Sequence, residues 1–82
     1  MGPRDVLERL KWHPELDLQQ ALITITHRGA PSDMRIIQGG EVRNLGRAFM
    51  SVESAGGDVE IPYHRILRIE AGGERLWRKG EA

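Results

Sequence analysis

The hydrophobic pattern changes its period once along the chain, and this change limits the possible folds more than any other feature. Near the start, four apolar side chains recur at helical spacing: Pro3, Val6, Leu7 and Leu10. Between residues 21 and 27, every second side chain lies on one face of an extended segment: Ala21, Ile23, Ile25 and His27. The sequence therefore predicts one short helix followed by strands, which is an α+β arrangement.

The helix is predicted over Pro3–Trp12. Proline suits the first position of a helix, and Arg9 and Lys11 complement the helix dipole in the last turn. Because Pro14 disfavours a helical conformation at His13, the helix should end there.

Two glycine pairs predict hairpins in the rest of the chain. Strands over residues 47–54 and 59–63 would fold about Gly56-Gly57, and this register sets three pairs opposite each other: Val52 with Ile61, Met50 with Tyr63, and Glu53 with Glu60. A second hairpin about Gly72-Gly73 sets three further pairs: Glu70 with Arg75, Ile69 with Leu76, and Arg68 with Trp77. Residues 34–38 form another predicted strand, while residues 41–45 fit a strand or a single helical turn.

Pro62 cannot donate a hydrogen bond to a β ladder, so residues 61–66 should form an edge or a corner between the two hairpins. The predicted fold is one short N-terminal helix packed on a small, mainly antiparallel β-sheet that could curve toward a barrel. A chain of 82 residues is too short for two cores, so residues 1–82 are predicted to be one domain, with an ordered core over about 3–78 and frayed residues 79–82.

Composition excludes several classes of protein. Cysteine is absent, which argues against a disulfide framework and sulfur-rich zinc sites, and no apolar run approaches the roughly 20 residues that cross a bilayer. A cytoplasmic protein without membrane contact is expected. Twelve basic residues balance twelve acidic ones, so any contact with a polyanion must be local. Ten of the basic residues are arginine, which suits phosphate recognition but is also common in GC-rich or heat-adapted proteomes.

Two histidine-arginine pairs stand at predicted bends of the backbone, His27-Arg28 before Gly29 and His64-Arg65 after Pro62. Neighbouring strand residues point to opposite faces, so both members of a pair can meet one ligand only where the backbone bends. Imidazole and guanidinium groups gathered at strand ends would suit a phosphate group. Two unrelated surface pairs are an equally good interpretation of these residues.

Other candidate residues have structural alternatives. His13 could cap the helix, and His27 could be a core residue beside Ile25. Trp12 and Trp77 are predicted to be core anchors rather than platforms for a base, whereas Tyr63 is the better candidate for stacking.

Signatures of common enzymes and cofactor sites are absent from the sequence. The histidine spacing matches no metal site, and the glycines lack a phosphate-binding loop or a dinucleotide fingerprint. No nucleophile elbow or paired carboxylates can be named. We expect no metal and no cofactor.

Four segments together resemble a known pattern: Lys-Trp-His-Pro at 11–14, Thr-His-Arg-Gly-Ala at 26–30, Ile-Pro-Tyr-His-Arg-Ile at 61–66, and Trp-Arg at 77–78. The chain resembles, from Pro3 to about Arg78, the short archaeal proteins of an uncharacterised family described as the RNA cyclic-group end-recognition domain. The resemblance implies recognition of RNA ends that carry a cyclic phosphate, in RNA processing or repair. Such an end is a compact anion that needs a few positioned donors and one stacked base.

The sequence thus favours an RNA-binding module over two alternatives. In this hypothesis the terminal phosphate contacts His27, Arg28, His64 and Arg65, with His13 as a further candidate, and Tyr63 or Trp12 supports the adjacent base. The second hypothesis is a phosphodiesterase in which two histidines act as acid and base. The third is a protein-interaction subunit of an RNA-processing complex.

Overall fold

A computed structural model of the chain describes residues 2–12 and 17–80. One α-helix, α1, spans Pro3–Trp12 as predicted. Seven strands follow in chain order: β1 Leu22–Thr26, β2 Met34–Gln38, β3 Val42–Leu45, β4 Phe49–Val52, β5 Val59–Pro62, β6 Ile66–Ala71 and β7 Glu74–Arg78.

The strands form two antiparallel sheets. The four-stranded sheet has the order β2-β1-β6-β7, and the three-stranded sheet has the order β3-β4-β5. The predicted α+β class is confirmed, but within the described residues the two sheets do not close into a barrel.

Two short 3-10 turns carry the chain between the sheets. Gly39–Glu41 joins β2 to β3, and Tyr63–Arg65 joins β5 to β6. Residues 41–45 fitted a strand or a helical turn, and the structure contains both. Glu41 is the last residue of a 3-10 turn, and the remaining four residues form β3. The predicted corner at residues 61–66 is confirmed, and Pro62 lies in the edge strand β5, where its missing N–H group is tolerated.

The core lies between α1 and the two sheets. Its buried side chains come from the predicted stripe of the helix and from the inward face of the strands: Val6, Leu7, Leu10, Ala21, Ile23, Ile25, Ile37, Met50, Val52, Ile61, Ile66, Ile69 and Ala71. The alternation predicted for residues 21–27 holds in part: Ile23 and Ile25 are buried while Leu22 is 41% exposed, but Thr24 is buried as well, at 3%. One sheet face therefore covers the core, and the opposite face of β1 points away from it.

The predicted register of the first hairpin is wrong by two residues. Met50 lies opposite Ile61, and Val52 lies opposite Val59. The turn is centred one residue earlier than Gly56-Gly57, because the N–H of Gly57 donates to the carbonyl of Ser54 at 3.1 Å. The unfavourable Glu53–Glu60 pair does not form.

The second hairpin begins in the predicted register and then departs from it. Glu70 lies opposite Arg75, as predicted, but Ile69 lies opposite Trp77 and Arg68 opposite Arg78. The register shifts by one residue between Ile69 and Glu70. A β-bulge of this kind adds one unpaired residue to a strand and increases its twist, and turn chemistry alone does not reveal it.

Within the described ranges, no helix is long and apolar enough to cross a membrane. The ordered chain continues past β7. The backbone N–H of Lys79, a residue assigned from sequence to the fraying end, donates to the carbonyl of Leu67 at 2.9 Å.

Candidate nucleic-acid interface

The loop between β1 and β2 turns tightly just after the first histidine-arginine pair. The N–H of His27 donates to the carbonyl of Asp33 at 2.8 Å, and the N–H of Ala30 donates to the carbonyl of His27 at 3.1 Å. Gly29 adopts a φ of 95°, a conformation that favours glycine. Its N–H donates to Asp33 Oδ1 at 3.3 Å, so the loop holds Arg28 and the Asp33 carboxylate on one short, closed segment.

The 3-10 turn Tyr63–Arg65 is fastened to the helix and to the loop before β4. The Tyr63 hydroxyl donates to the carbonyl of Gly46 at 2.6 Å, and Arg4 Nε of α1 donates to the same carbonyl at 3.0 Å. Burial raises the pKa of the Tyr63 phenol, an effect that the nearby Arg4 guanidinium opposes. These contacts position His64 and Arg65 by anchoring the residue before them.

Arg65 connects the two histidine-arginine segments directly. Its Nε and Nη2 atoms both donate to the carbonyl of Thr26, at 3.2 and 2.7 Å. Thr26 is the last residue of β1, so the guanidinium is held across the ends of β1 and β6. The plane of the guanidinium is fixed by this two-pronged contact, and the group has five N–H donors in all.

A cleft of about 500 Å³ opens between these segments. It is lined by residues of both segments and by the residue that follows β7: Thr26, Arg28, Asp33, His64, Arg65 and Lys79. Three of these side chains are cationic and one is a carboxylate, so the cleft is positively charged although the whole chain is neutral.

Lys79 is the cleft residue that sequence reasoning missed. Its Nζ donates to the carbonyl of His64 at 2.7 Å, which places the ammonium group beside the second histidine-arginine pair. Its position depends on the bulged β6–β7 hairpin, and no local sequence signal distinguishes it from any lysine near a chain end. Asp33 was missed for a similar reason, because it reads as an ordinary turn residue.

A smaller apolar pocket of about 220 Å³ adjoins the cleft and shares two of its residues, His64 and Lys79. Its remaining lining is mainly apolar and aromatic: Pro3, Tyr63, Ile66 and Trp77. A flat, hydrophobic group attached to an anion in the cleft could enter this pocket without leaving the charged side chains.

The structure brings Arg28, His64 and Arg65 to one cleft, and Tyr63 to the pocket beside it. His27 is half-buried and precedes the loop, but it is not among the residues that line the cleft. His13 lies outside the described residues, so its predicted part in the site is without a structural description. Among the residues that are described, no group of three His, Asp or Glu side chains is arranged to hold a metal ion.

Trp12 is not a core anchor, and that prediction is wrong. Its side chain is 76% exposed, with Lys11 Nζ 5.5 Å from the ring centroid. The reason is helical spacing, because the apolar stripe through Leu7 and Leu10 does not include position 12. Trp77, by contrast, is half-buried against the core, as predicted.

The chain matches, over residues 1–79, the family model described as the MJ1316 RNA cyclic group end recognition domain. The chain belongs to this family. The segments that form the cleft, residues 26–30 and 61–66, are among those on which the resemblance was based. No solved structure matches the chain.

Members of the MJ1316 domain family from several archaea are similar over most of their length. A UPF0248 protein of Thermococcus onnurineus is 38% identical, over 96% of this chain and 92% of its own. The UPF0248 protein MK0350 of Methanopyrus kandleri is 36% identical, over 82% of this chain and 85% of its own. The UPF0248 protein MJ1316 of Methanocaldococcus jannaschii is 31% identical, over 93% and 91%. The similarity shows an archaeal family of uncharacterised proteins.

Proposed function

We propose that this domain binds the end of an RNA chain that carries a 2′,3′-cyclic phosphate, with the phosphate group in the cleft. One observation carries the proposal. Cationic side chains from three separate parts of the chain, Arg28, Arg65 and Lys79, line one cleft in a protein of zero net charge. The name of the family model, which refers to the recognition of RNA cyclic group ends, supports the proposal.

Two of the three cations are already oriented and still have donors to spare. Arg65 uses two N–H groups on the carbonyl of Thr26, which leaves three of the five guanidinium donors for a phosphate. Lys79 uses one donor on the carbonyl of His64 and keeps two. Groups held in place before the ligand arrives lose little conformational freedom on binding, so they bind more tightly than mobile ones.

Recognition of the cyclic phosphate depends more on where the hydrogen-bond donors lie than on the total positive charge of the cleft. It is a singly charged diester, whereas an open phosphomonoester carries a charge nearer −2 at neutral pH. Charge alone would therefore favour the open ends. Preference for the ring has to come from the shape of the cleft and from the fixed guanidinium of Arg65.

The terminal base binds in the apolar pocket in this proposal. Tyr63 and Trp77 line it, and it shares His64 and Lys79 with the cleft. Stacking on aromatic side chains contributes roughly 1–3 kcal/mol per base without much dependence on sequence. Of the two predicted base supports, we retain Tyr63. Trp12 lines neither the cleft nor the pocket.

Binding is favoured over the phosphodiesterase hypothesis. Acid-base catalysis by two histidines needs both imidazoles within reach of the reacting atoms. Among the described histidines, His64 lines the cleft and His27 does not. We also propose that the domain acts on RNA together with processing enzymes, in the cytoplasm, and that it needs no cofactor.

The direct test compares short RNAs of one sequence that end in a 2′,3′-cyclic phosphate, a 2′-phosphate, a 3′-phosphate or a 3′-hydroxyl, at one salt concentration. We expect the cyclic end to bind most tightly. Arg28→Gln should weaken it about tenfold, because a hydrogen bond to a charged group is lost at an exposed site. Arg47→Gln removes the same charge from the loop before β4 and is the matched control.

Equal affinity for all four ends would reject end recognition. Preference for the open phosphates would instead assign the cleft to phosphomonoesters. Turnover of the cyclic end during the same incubation would favour the phosphodiesterase.

A further inference from the structure

Within residues 2–12 and 17–80, one face of the four-stranded sheet, here called the open face, keeps several apolar side chains exposed. Side chains alternate along β1, so Leu22, Thr24 and Thr26 point away from the buried face of Ile23 and Ile25. The open face also carries Met34 and Ile36 of β2, which lie opposite Thr26 and Thr24. Their exposures of 44% and 57% leave a shallow apolar surface at the β2 edge of the sheet.

A groove of about 400 Å³ runs over this open face. Its lining includes Thr24, Met34 and Leu67. The other lining residues are four cationic side chains: Arg68, Arg75, Arg78 and Lys79. Among the described residues that line the groove none is acidic, and Arg68 Nε lies 3.2 Å from Glu70 Oε1 beside it. The lining of the groove is therefore positively charged.

The groove and the phosphate cleft are neighbours. Lys79 lines both of them, and Thr24 in the groove and Thr26 in the cleft are successive outward residues of β1. A ligand could therefore extend from the cleft into the groove along the outward side chains of Thr26 and Thr24.

The floor of the groove contains a buried polar group without a partner. Thr24 is 3% exposed, and its Oγ1 has no hydrogen bond within the described residues. Its cross-strand neighbours are Ile36 and Arg68, and the arginine side chain is long enough to swing aside. An unsatisfied buried hydroxyl costs about 1–3 kcal/mol, and an oxygen entering the groove would satisfy it.

We infer that the RNA chain leading to the bound end lies across this open sheet face, with its phosphates along the groove. This inference rests on the proposed function for its direction, because the end occupies the cleft. Four strands span about 14 Å from β2 to β7, enough for a few nucleotides. In this arrangement Arg68 and Arg78 contact phosphates, while Met34 supports a base or a sugar.

Charge complementarity favours single-stranded RNA over a protein partner here. An apolar patch that docked a protein would be expected to have few charges at its centre, whereas this one is crossed by arginines. Phosphate contacts release counterions, so the affinity of the face for RNA must fall steeply with salt.

The test measures affinity for RNAs with the same cyclic end but different lengths, a dinucleotide and a chain of about eight nucleotides, within the range that single small domains cover. We expect the longer RNA to bind about tenfold more tightly at low salt. Arg78→Gln should remove most of that gain and lower the salt slope by about 0.7, the value for one phosphate contact on a single strand. Arg47→Gln should do neither.

Thr24→Val supplies a second, independent variant. Removing an unpaired hydroxyl should leave stability unchanged or slightly raised, but affinity for the longer RNA should fall about threefold. A merely structural role for Thr24 would not change RNA affinity in a variant that folds normally.

The outcomes separate this inference from the proposed function. If the cyclic dinucleotide binds in preference to its hydroxyl form but length adds nothing, the groove inference is wrong and the end site stands. If length adds affinity whatever the end, the groove stands and end recognition fails. A concentration-dependent dimer that Ile36→Ser abolishes, without a length effect, would assign the face to protein docking and overturn the inference.

Discussion

The two sheets differ sharply in charge, although they belong to one small core. Residues 22–38 and 63–79, which contain the four-stranded sheet, carry seven Arg and Lys residues against three Asp and Glu. Residues 39–62, which contain the three-stranded sheet, carry two against four. A chain with zero net charge can thus present a basic surface of net +4 beside an acidic one of net −2, and composition alone hides this.

The way the arginines are used also differs between the sheets. Arg43 of β3 lies between two carboxylates, with Nη2 3.2 Å from Glu53 Oε1 and Nε 3.9 Å from Asp58 Oδ1. In the four-stranded region, Arg65 donates to a carbonyl oxygen and retains its charge for a ligand. The arginine of the three-stranded sheet is therefore neutralised by its own neighbours, whereas Arg65 keeps three of its five N–H donors for a ligand.

The junction between the sheets should be the most sensitive position. Gly39 begins the turn from β2 to β3, and a Cβ there would stand 1.7 Å from the carbonyl oxygen of Leu18. Because that oxygen belongs to the backbone, the chain must shift. We expect Gly39→Ala to destabilise the domain by about 3 kcal/mol, and to lower Tm by about 15 °C, measured by thermal or urea unfolding.

Gly40→Ala is the matched control for this prediction. Its Cβ would meet the nearest heavy atom, the carbonyl oxygen of Gln19, at 3.9 Å, an ordinary contact. Its stability should change by less than about 0.5 kcal/mol. Equal effects of the two substitutions would show that the close approach at Gly39 does not hold the sheets together.

Tyr63 lies in the turn between the two sheets, and its hydroxyl donates to the carbonyl of Gly46 in the loop before β4. This contact should make the stability of the domain sensitive to alkaline pH. Burial raises the pKa of its phenol above the ordinary value of 10.0. Its contribution to stability is complete below the pKa of the unfolded chain and is lost as pH rises through the higher folded value. Tyr63→Phe should cost about 1 kcal/mol at neutral pH, and the difference from the natural chain should shrink above pH 10.

This prediction can be followed directly, because Tyr63 is the only tyrosine in the chain. An ultraviolet titration of phenolate formation reports its ionisation in the folded state. The variant keeps the ring, so RNA affinity at neutral pH should change less than twofold if Tyr63 supports the base through its face. Phenolate formation at the ordinary pH of an exposed tyrosine would contradict the burial of the hydroxyl.

Local patterns in the sequence predicted the elements but not the registers. The helix Pro3–Trp12 and the strand Met34–Gln38 follow from spacing and from turn residues. The two-residue error at Gly56-Gly57 and the bulge after Ile69 arise where several turns of similar energy compete, and cross-strand packing decides among them.

The site was predictable to the extent that it depends on bends. Arg28, His64 and Arg65 stand beside Gly29 or Pro62, so their convergence could be proposed from sequence. Lys79 could not, because it reaches the cleft only through the pairing of distant strands. Charge segregation between the sheets was hidden for the same reason, since it depends on strand order.

The smallest expected effects should come from the acidic sheet. Arg43 and its partners are more than half exposed, at 56% and 57%, so Arg43→Gln should cost less than about 0.5 kcal/mol of stability, and less still at high salt. RNA affinity should change less than twofold, because this arginine faces carboxylates rather than the groove. The measurements are urea unfolding at low and high salt and the RNA titration used for Arg78→Gln. A tenfold loss of RNA affinity would mean that the three-stranded sheet contacts RNA. The proposal that only the four-stranded sheet binds RNA would then be wrong.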